Sequence, residues 1–248
     1  MSDDACGAAA AAPLYKRHRF PGEIISHAVW LYYRFLLSYR DVEELLAERG
    51  IAVTYETVRQ WCRKFGSAFA DGLRRRRRRP GDTWQCDEVQ LKINGLKHWL
   101  WRAVDQEGIV LDILVQSRRN QEAAETFLRR VVDGCGYQPR VIITDKLASY
   151  PPAVRRVLPG VVHRRHKGLN NRAENSRAEN SHRPTRRRER VLQRFKSPEH
   201  AQQFLSPFGP ISDHFRPRRH LLPAPEYHQL LQTRLATWRE VAGLAAAA

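Results

Sequence analysis

Positions 74–79 are six consecutive arginines, followed by Pro80 and Gly81, and no other stretch constrains this chain so strongly. Six like charges in a row repel one another and resist burial, so the run reads as a linker or an exposed arm. It divides the chain into a disordered tail (1–14), a helical domain (15–72), an Arg-rich linker (73–81), an α/β domain (82–195) and a helical C-terminal extension (196–248). The run belongs to a wider imbalance of 43 Lys and Arg against 26 Asp and Glu, a formal charge of +17. Charge this far from zero attracts polyanions, nucleic acid first among them. Hydrophobic residues still make up 42% of the chain, which is enough to close a core and argues against wholesale disorder.

No apolar run approaches the roughly 18–20 residues that cross a bilayer. The alanine tract at 8–12 follows Asp3 and Asp4 and has no basic segment before it, unlike a signal peptide. Cys6, Cys62, Cys86 and Cys135 have no C-x-x-C spacing, so neither a zinc ribbon nor a disulfide framework is indicated. A reducing, cytoplasmic setting fits that usage.

Before the arginine run the apolar pattern is helical. Ile24, Ile25, Ala28, Val29, Tyr32, Leu36 and Leu37 recur at helix spacing through 22–38. A second helix is expected to open at Asp41 as N-cap, with Glu44 three residues on, and to end at Gly50. A third opens at Thr54, with Val58, Trp61, Cys62 and Phe65 on one face, before Gly66. Two short helices joined by 50–53 have the proportions of a helix-turn-helix, whose third helix would offer Arg59, Gln60, Arg63 and Lys64 to the major groove. A helical hairpin with a merely wet polar face fits the same pattern.

After Pro80 the period changes. Residues 84–91, 97–104 and 109–115 read as strands, with Asn94-Gly95 a hairpin turn and 106–108 a second. A helix over 121–132, a short strand over 141–144, another at 161–163 and a long polar helix from Asn171 towards Phe195 complete an α/β order with a mixed sheet. Trp99 and Trp101 alternate along a strand and so face one side, for core packing or, less simply, base stacking.

Two carboxylates stand out. Asp87 lies within the first strand, and Asp145 ends the apolar 141–144 strand, where open α/β sheets hold their sites. Gathered carboxylates repel and lose hydration unless a cation neutralises them, and Mg²⁺, hard and oxygen-seeking, is the natural guest. Against this, Asp145 also suits a simple cap, and Asp87 also suits a wet face with Glu88 turned inward.

The string Trp84-Gln85-Cys86-Asp87-Glu88-Val89, then Ile93-Asn94-Gly95 and Trp101-Arg102-Ala103-Val104-Asp105, resembles the DDE transposases of bacterial insertion sequences, of the insertion-sequence-six type. Thr144-Asp145-Lys146-Leu147-Ala148-Ser149-Tyr150, Leu169-Asn170-Asn171-Arg172-Ala173-Glu174-Asn175 and the segment from Arg186-Arg187-Arg188-Glu189-Arg190 to Phe195-Lys196-Ser197 extend the likeness over 15–243. The resemblance implies a helix-turn-helix followed by a ribonuclease-H-like mixed sheet flanked by helices. It also implies an Asp, Asp, Glu triad that holds two Mg²⁺ ions (Mn²⁺ as substitute) for phosphoryl transfer on DNA, without a covalent nucleophile.

The aspartates of that triad correspond to Asp87 and Asp145. The glutamate is doubled, because Arg172-Ala173-Glu174-Asn175-Ser176 is repeated at once as Arg177-Ala178-Glu179-Asn180-Ser181. Five residues turn a helix by about 140°, so only one of Glu174 and Glu179 can face the aspartates. Glu179 is preferred, since the family carries a basic residue seven positions after its glutamate and Arg186 stands there, with Arg183 close by. Metal ligation then falls to Asp87, Asp145 and Glu179. His163 and His166 lack a further Cys or His pair to complete a zinc set.

Arg74, Arg75, Arg76, Arg77, Arg78 and Arg79 are expected to neutralise DNA phosphates, as are Arg164, Arg165, Lys167 and residues 186–188. Lys146 and Tyr150 suit DNA contact or a solvated loop. The implied partners are element ends and target DNA, with a homo-oligomer assembled on the DNA in the bacterial cytoplasm. The duplicated segment leaves a catalytically decayed DNA-binding protein as the alternative.

Overall fold

Helix α1 (Gly22–Phe35) buries Ile25, Ala28, Val29, Tyr32 and Tyr33 along one stripe, the helical period expected of that segment. The computed structural model in which it is seen describes residues 14–165, 195–217 and 222–244. Helix α2 (Tyr39–Ala47) opens three residues earlier than the sequence suggests. Its N-cap is Ser38, whose Oγ accepts from the Asp41 N–H at 3.0 Å while Asp41 Oδ2 accepts from the Ser38 N–H at 2.7 Å. Asp41 is therefore the reciprocal member of a capping box, and the Asp41–Glu44 spacing mimicked the true pair one turn too late.

Helix α3 (Tyr55–Arg76) starts at Thr54 as expected but runs straight through Gly66. That glycine ends nothing: a Cβ there would stand 2.7 Å from the Tyr33 hydroxyl, so its missing side chain lets α1 approach α3. Beyond it Phe69, Ala70 and Leu73 continue the buried stripe. Arg74, Arg75 and Arg76 form the last turn of the helix, where cations oppose the negative end of its dipole. The arginine run is thus half helix rather than wholly a linker.

Five strands follow as one mixed sheet in the order β3-β2-β1-β4-β5. They are β1 (Thr83–Ile93), β2 (Leu96–Asp105), β3 (Val110–Gln116), β4 (Val141–Thr144) and β5 (Val162–Arg165). The β1–β2 hairpin turns at Asn94 (φ 50) and Gly95 (φ 81), positive at both central positions as a type I′ turn needs. Strand β4 pairs parallel to β1, with Cys86 opposite Thr144. Helices α4 (Gln121–Cys135) and α5 (Tyr150–Val157) bring Phe127, Leu128, Tyr150 and Val154 into a core with Trp84, Cys86 and Trp101.

The other core joins Leu91, Ile93, Leu100 and Ile113 to α1, α2, α3, α6 (Pro198–His214) and α7 (Ala224–Val241). Packing is continuous across the 73–81 boundary drawn from the sequence. No helix among the described residues is long and apolar enough to cross a membrane.

Candidate active site

Strand alternation decides how the acidic pair on β1 divides. Trp84 and Cys86 point into the core beneath α4 and α5, so Glu88 shares their face, whereas Asp87 shares the face of Leu91 and Ile93. Glu88 is turned inward, as one of the sequence alternatives has it, but Asp87 does not lie on the wet face which that alternative gave it: its side chain is mostly withdrawn from water.

Asp87 stands opposite Arg102 in the antiparallel β1–β2 register. The guanidinium grips it in bidentate fashion, Nε to Oδ1 at 3.2 Å and Nη2 to Oδ2 at 2.7 Å. Only 4% of the Arg102 side chain and 15% of the Asp87 side chain are exposed, so solvent screens the pair little.

The Glu88 side chain is wholly buried. It accepts from Arg119 Nε at 2.9 Å on Oε1, with Arg119 Nη2 closer still, and from the Tyr150 hydroxyl at 2.9 Å on Oε2. Burial pushes its carboxyl up to about 7; Arg119 opposes that shift, while the charge of Asp145 adds to it. Arg119 lies over the Trp99 ring at 4.6 Å and reaches Asp145 Oδ2 at 3.7 Å, so it spans both carboxylates.

Asp145 follows β4 directly. Since Cys86 is level with Thr144, Asp87 and Asp145 are each the next residue on adjacent parallel strands. Their side chains nonetheless engage different guanidiniums, Arg102 and Arg119. The loop is held by Asp145 Oδ1 accepting from the Leu147 N–H at 2.9 Å, and by Thr144 Oγ1 donating to the Asp145 carbonyl at 2.9 Å. His163 Nε2 lies 2.9 Å from the same Thr144 hydroxyl; burial, then Arg165, pulls its pKa below the usual value. That bond engages His163 in positioning the loop.

The donor chemistry of Asp87 and Asp145 suits a hard divalent cation, being all carboxylate oxygen. Asp145 keeps Oδ2 directed away from its loop bond and 32% of its side chain exposed. No cluster of three or more His, Cys, Asp or Glu that would hold a metal occurs among the described residues. Glu174 and Glu179, the expected third donors, lie outside the described residues, as do His166, Lys167, Arg183 and Arg186.

Lys146, Arg164 and Arg165 are exposed beside Asp145, with Arg165 Nη2 donating to the Lys146 carbonyl at 3.1 Å. On α3, Arg63 and Lys64 are exposed, Lys64 lying 2.8 Å from His18 Nε2, while Arg59 pairs with Glu56. Arg75, Arg76, Arg78 and Arg79 are exposed too. Arg74 and Arg77 turn inward to the carbonyls of Ser206 and Val110. Tyr150, read from sequence as loop or DNA contact, is fully buried and serves Glu88 instead. Trp101 packs in the core, and Trp99 backs it.

A family model described as a DDE domain matches residues 81–218. The chain belongs to the DDE transposases. A Staphylococcus aureus transposase for insertion sequence-like element IS431mec is 32% identical over 177 residues, covering 69% of this chain and 79% of the relative. The Staphylococcus aureus transposase for insertion sequence element IS257 in transposon Tn4003 is 31% identical over the same shares. These relatives place the transposase in the insertion-sequence-six type. Among solved structures, the catalytic domain of Mos1 mariner transposase has a TM-score of 0.39 at 15% identity, covering 73% of this chain and 91% of that one. The HTLV-2 integrase catalytic core in complex with magnesium has 0.33 at 19%, covering 39% and 66%.

Arg102 and Arg119 belong to this neighbourhood without having stood out in the sequence, and Glu88, weighed there only as an inward-turned residue, is the carboxylate that Arg119 holds. The signal available was the Asp87-Glu88 dyad itself: two adjacent acids on one strand must face opposite sides, and each then needs its own cation.

Proposed function

We propose that the transposase binds the terminal inverted repeats of its element and carries out Mg²⁺-dependent strand cleavage and strand transfer. The carboxylates are Asp87, Asp145 and Glu179, with Glu174 the less favoured third member. The observation that carries this reading is the β1–β4 register, which sets Asp87 and Asp145 at equivalent positions on neighbouring strands. Two such acids at the carboxyl end of a parallel pair are suited to a shared cation site once the cation takes the place of Arg102 at Asp87 and of Arg119 at Asp145.

Asp87, Asp145 and Glu179 would hold two Mg²⁺ ions, with Mn²⁺ as substitute. When bound, these supply charge neutralisation at the attacked phosphate and a lowered pKa for the attacking water or 3′-hydroxyl. Lys146, Arg164 and Arg165 hold the phosphodiester backbone beside Asp145, together with Lys167, Arg183 and Arg186. The loop bonds to Thr144 and Leu147 keep Asp145 from turning away. Arg59, Arg63 and Lys64 on α3 face the major groove of the repeat, and Arg75, Arg76, Arg78 and Arg79 neutralise phosphates without reading bases. Joining two element ends calls for a homo-oligomer on the DNA, and a DNA substrate of this kind sets the work in the bacterial cytoplasm.

The duplicated Arg-Ala-Glu-Asn-Ser segment supports a second reading, a binding protein that has lost catalysis. One assay separates the two: purified protein, a labelled element end and a supercoiled target, with and without Mg²⁺. A metal-dependent joined product is expected, abolished in Glu179→Gln and retained in Glu174→Gln. Salt-sensitive binding with no metal-dependent product supports the decayed form, and the reverse pattern in the two variants reassigns the glutamate.

A further inference from the structure

A cavity of about 530 Å³ lies at the far end of the sheet, between the C-terminal turn of α3, the β2–β3 turn, the end of α6 and the start of the α7 packing face. Arg74, Arg77, Arg216 and Arg234 line it, against the carboxylates Asp213 and Glu107. Arg77 donates Nη1 to the Val110 carbonyl at 2.9 Å, and Arg234 donates Nη1 to the His214 carbonyl at 2.7 Å. Main-chain carbonyls fix a guanidinium without neutralising it. Arg74 is divided between the Ser206 carbonyl at 2.8 Å and Asp71 at 2.6 Å. Burial depresses the pKa of both Arg77 and Arg234 below the usual range, as expected where cations gather away from water.

The second observation is Asp213. Its Oδ2 is solvent-inaccessible and without a hydrogen-bond partner, and burial pushes its carboxyl up to about 6. An inaccessible acceptor is not satisfied by an anion in the cavity, so Asp213 marks the wall's opposing charge, which interacts with Arg216 and Arg77, rather than the occupant itself. Glu107 is exposed, leaving Asp213 as the one carboxylate at depth. The cavity has the size of a small-ligand site and a surplus of fixed positive charge.

We propose that this cavity is an anion site that takes a phosphate group, supplied by the backbone of DNA tracking along the exposed Arg75, Arg76, Arg78 and Arg79. Only the source of the phosphate rests on the proposed DNA partner; the site itself does not depend on the carboxylate chemistry. Arg74 and Arg77, three residues apart on and just after the last turn of α3, form one jaw, and Arg216 and Arg234 from the C-terminal region form the other. A single phosphate therefore couples the end of α3 to α6 and α7.

Arginine modification by phenylglyoxal, read by mass spectrometry on the full chain in EDTA, tests this without any strand chemistry. A 20-base-pair duplex and inorganic pyrophosphate are the two arms. Protection of the four arginines several-fold by the duplex is the expected result. Protection by pyrophosphate alone keeps the phosphate site and assigns it to a small soluble phosphate. Protection by neither overturns the proposal, even if strand transfer proceeds normally. Arg216→Gln should weaken duplex binding several-fold and lower its salt slope by about one phosphate contact. Asp213→Asn should instead tighten pyrophosphate binding, because it removes the competing carboxylate while keeping the side-chain shape. Unchanged or weaker binding in Asp213→Asn would overturn the assignment.

Discussion

Arg102 faces Asp87 directly across the β1–β2 ladder and binds both of its carboxylate oxygens. Two opposite charges on paired strands, both nearly withdrawn from water, hold each other far more firmly than a surface pair does. Removing the cation alone strands a buried anion. Arg102→Met should therefore cost about 3 kcal/mol of unfolding free energy in urea titration. The double variant Arg102→Met with Asp87→Asn should recover most of that loss, whereas a cost as small as that of an exposed pair would contradict the burial argument.

Tyr150 supplies a hydrogen bond to a carboxylate that has no access to solvent. Tyr150→Phe keeps the ring that packs against Trp101 and deletes only the hydroxyl. The expected cost is about 1–3 kcal/mol, since the Glu88 oxygen left behind remains desolvated. Thermal and urea unfolding at neutral pH measure it, and no change would mean that Arg119 alone satisfies Glu88.

Asp213 gives the fold a pH dependence of defined sign. Its folded carboxyl titrates at about 6, above the ordinary aspartate value of 3.8, so the folded state binds the proton more tightly than the unfolded one. This contribution to stability is present in full below about pH 3.8 and is lost as pH rises through 6. Asp213→Asn should gain on the parent chain as pH rises from 4 to 7, on the order of 2–3 kcal/mol. Urea midpoints at the two ends of that interval decide it, and parallel curves for parent and variant would refute it.

The capping box of α2 offers a local test. Ser38→Ala removes the acceptor for the Asp41 N–H and should lower stability by about 1 kcal/mol. Glu44→Gln, at the position that the sequence pattern alone would have made part of the cap, should change stability little by comparison, as read by urea denaturation.

Local chemistry was legible in the chain where it acts over a few residues. Alternation and turn residues marked β1 and β2, since Asn94 and Gly95 accept positive φ where other residues resist it. Residues 141–144 were bounded correctly because a short apolar run between polar segments has few other uses. The stop assigned to Gly66 failed for a long-range reason: the glycine answers to Tyr33 on another helix, not to its own chain. The arginine run failed similarly, because Arg74 and Arg77 find carbonyls 132 and 33 residues away.

Sequence by itself determined the periods, turns and caps, the family, and the presence of acids on β1 and after β4, because these depend on near neighbours and on residue strings. The tertiary structure alone decided that Asp87 goes to Arg102 while Glu88 goes to Arg119 and Tyr150. Alternation says only that neighbouring strand residues part ways; which face receives α4 and α5, and which receives α6, depends on how distant segments pack.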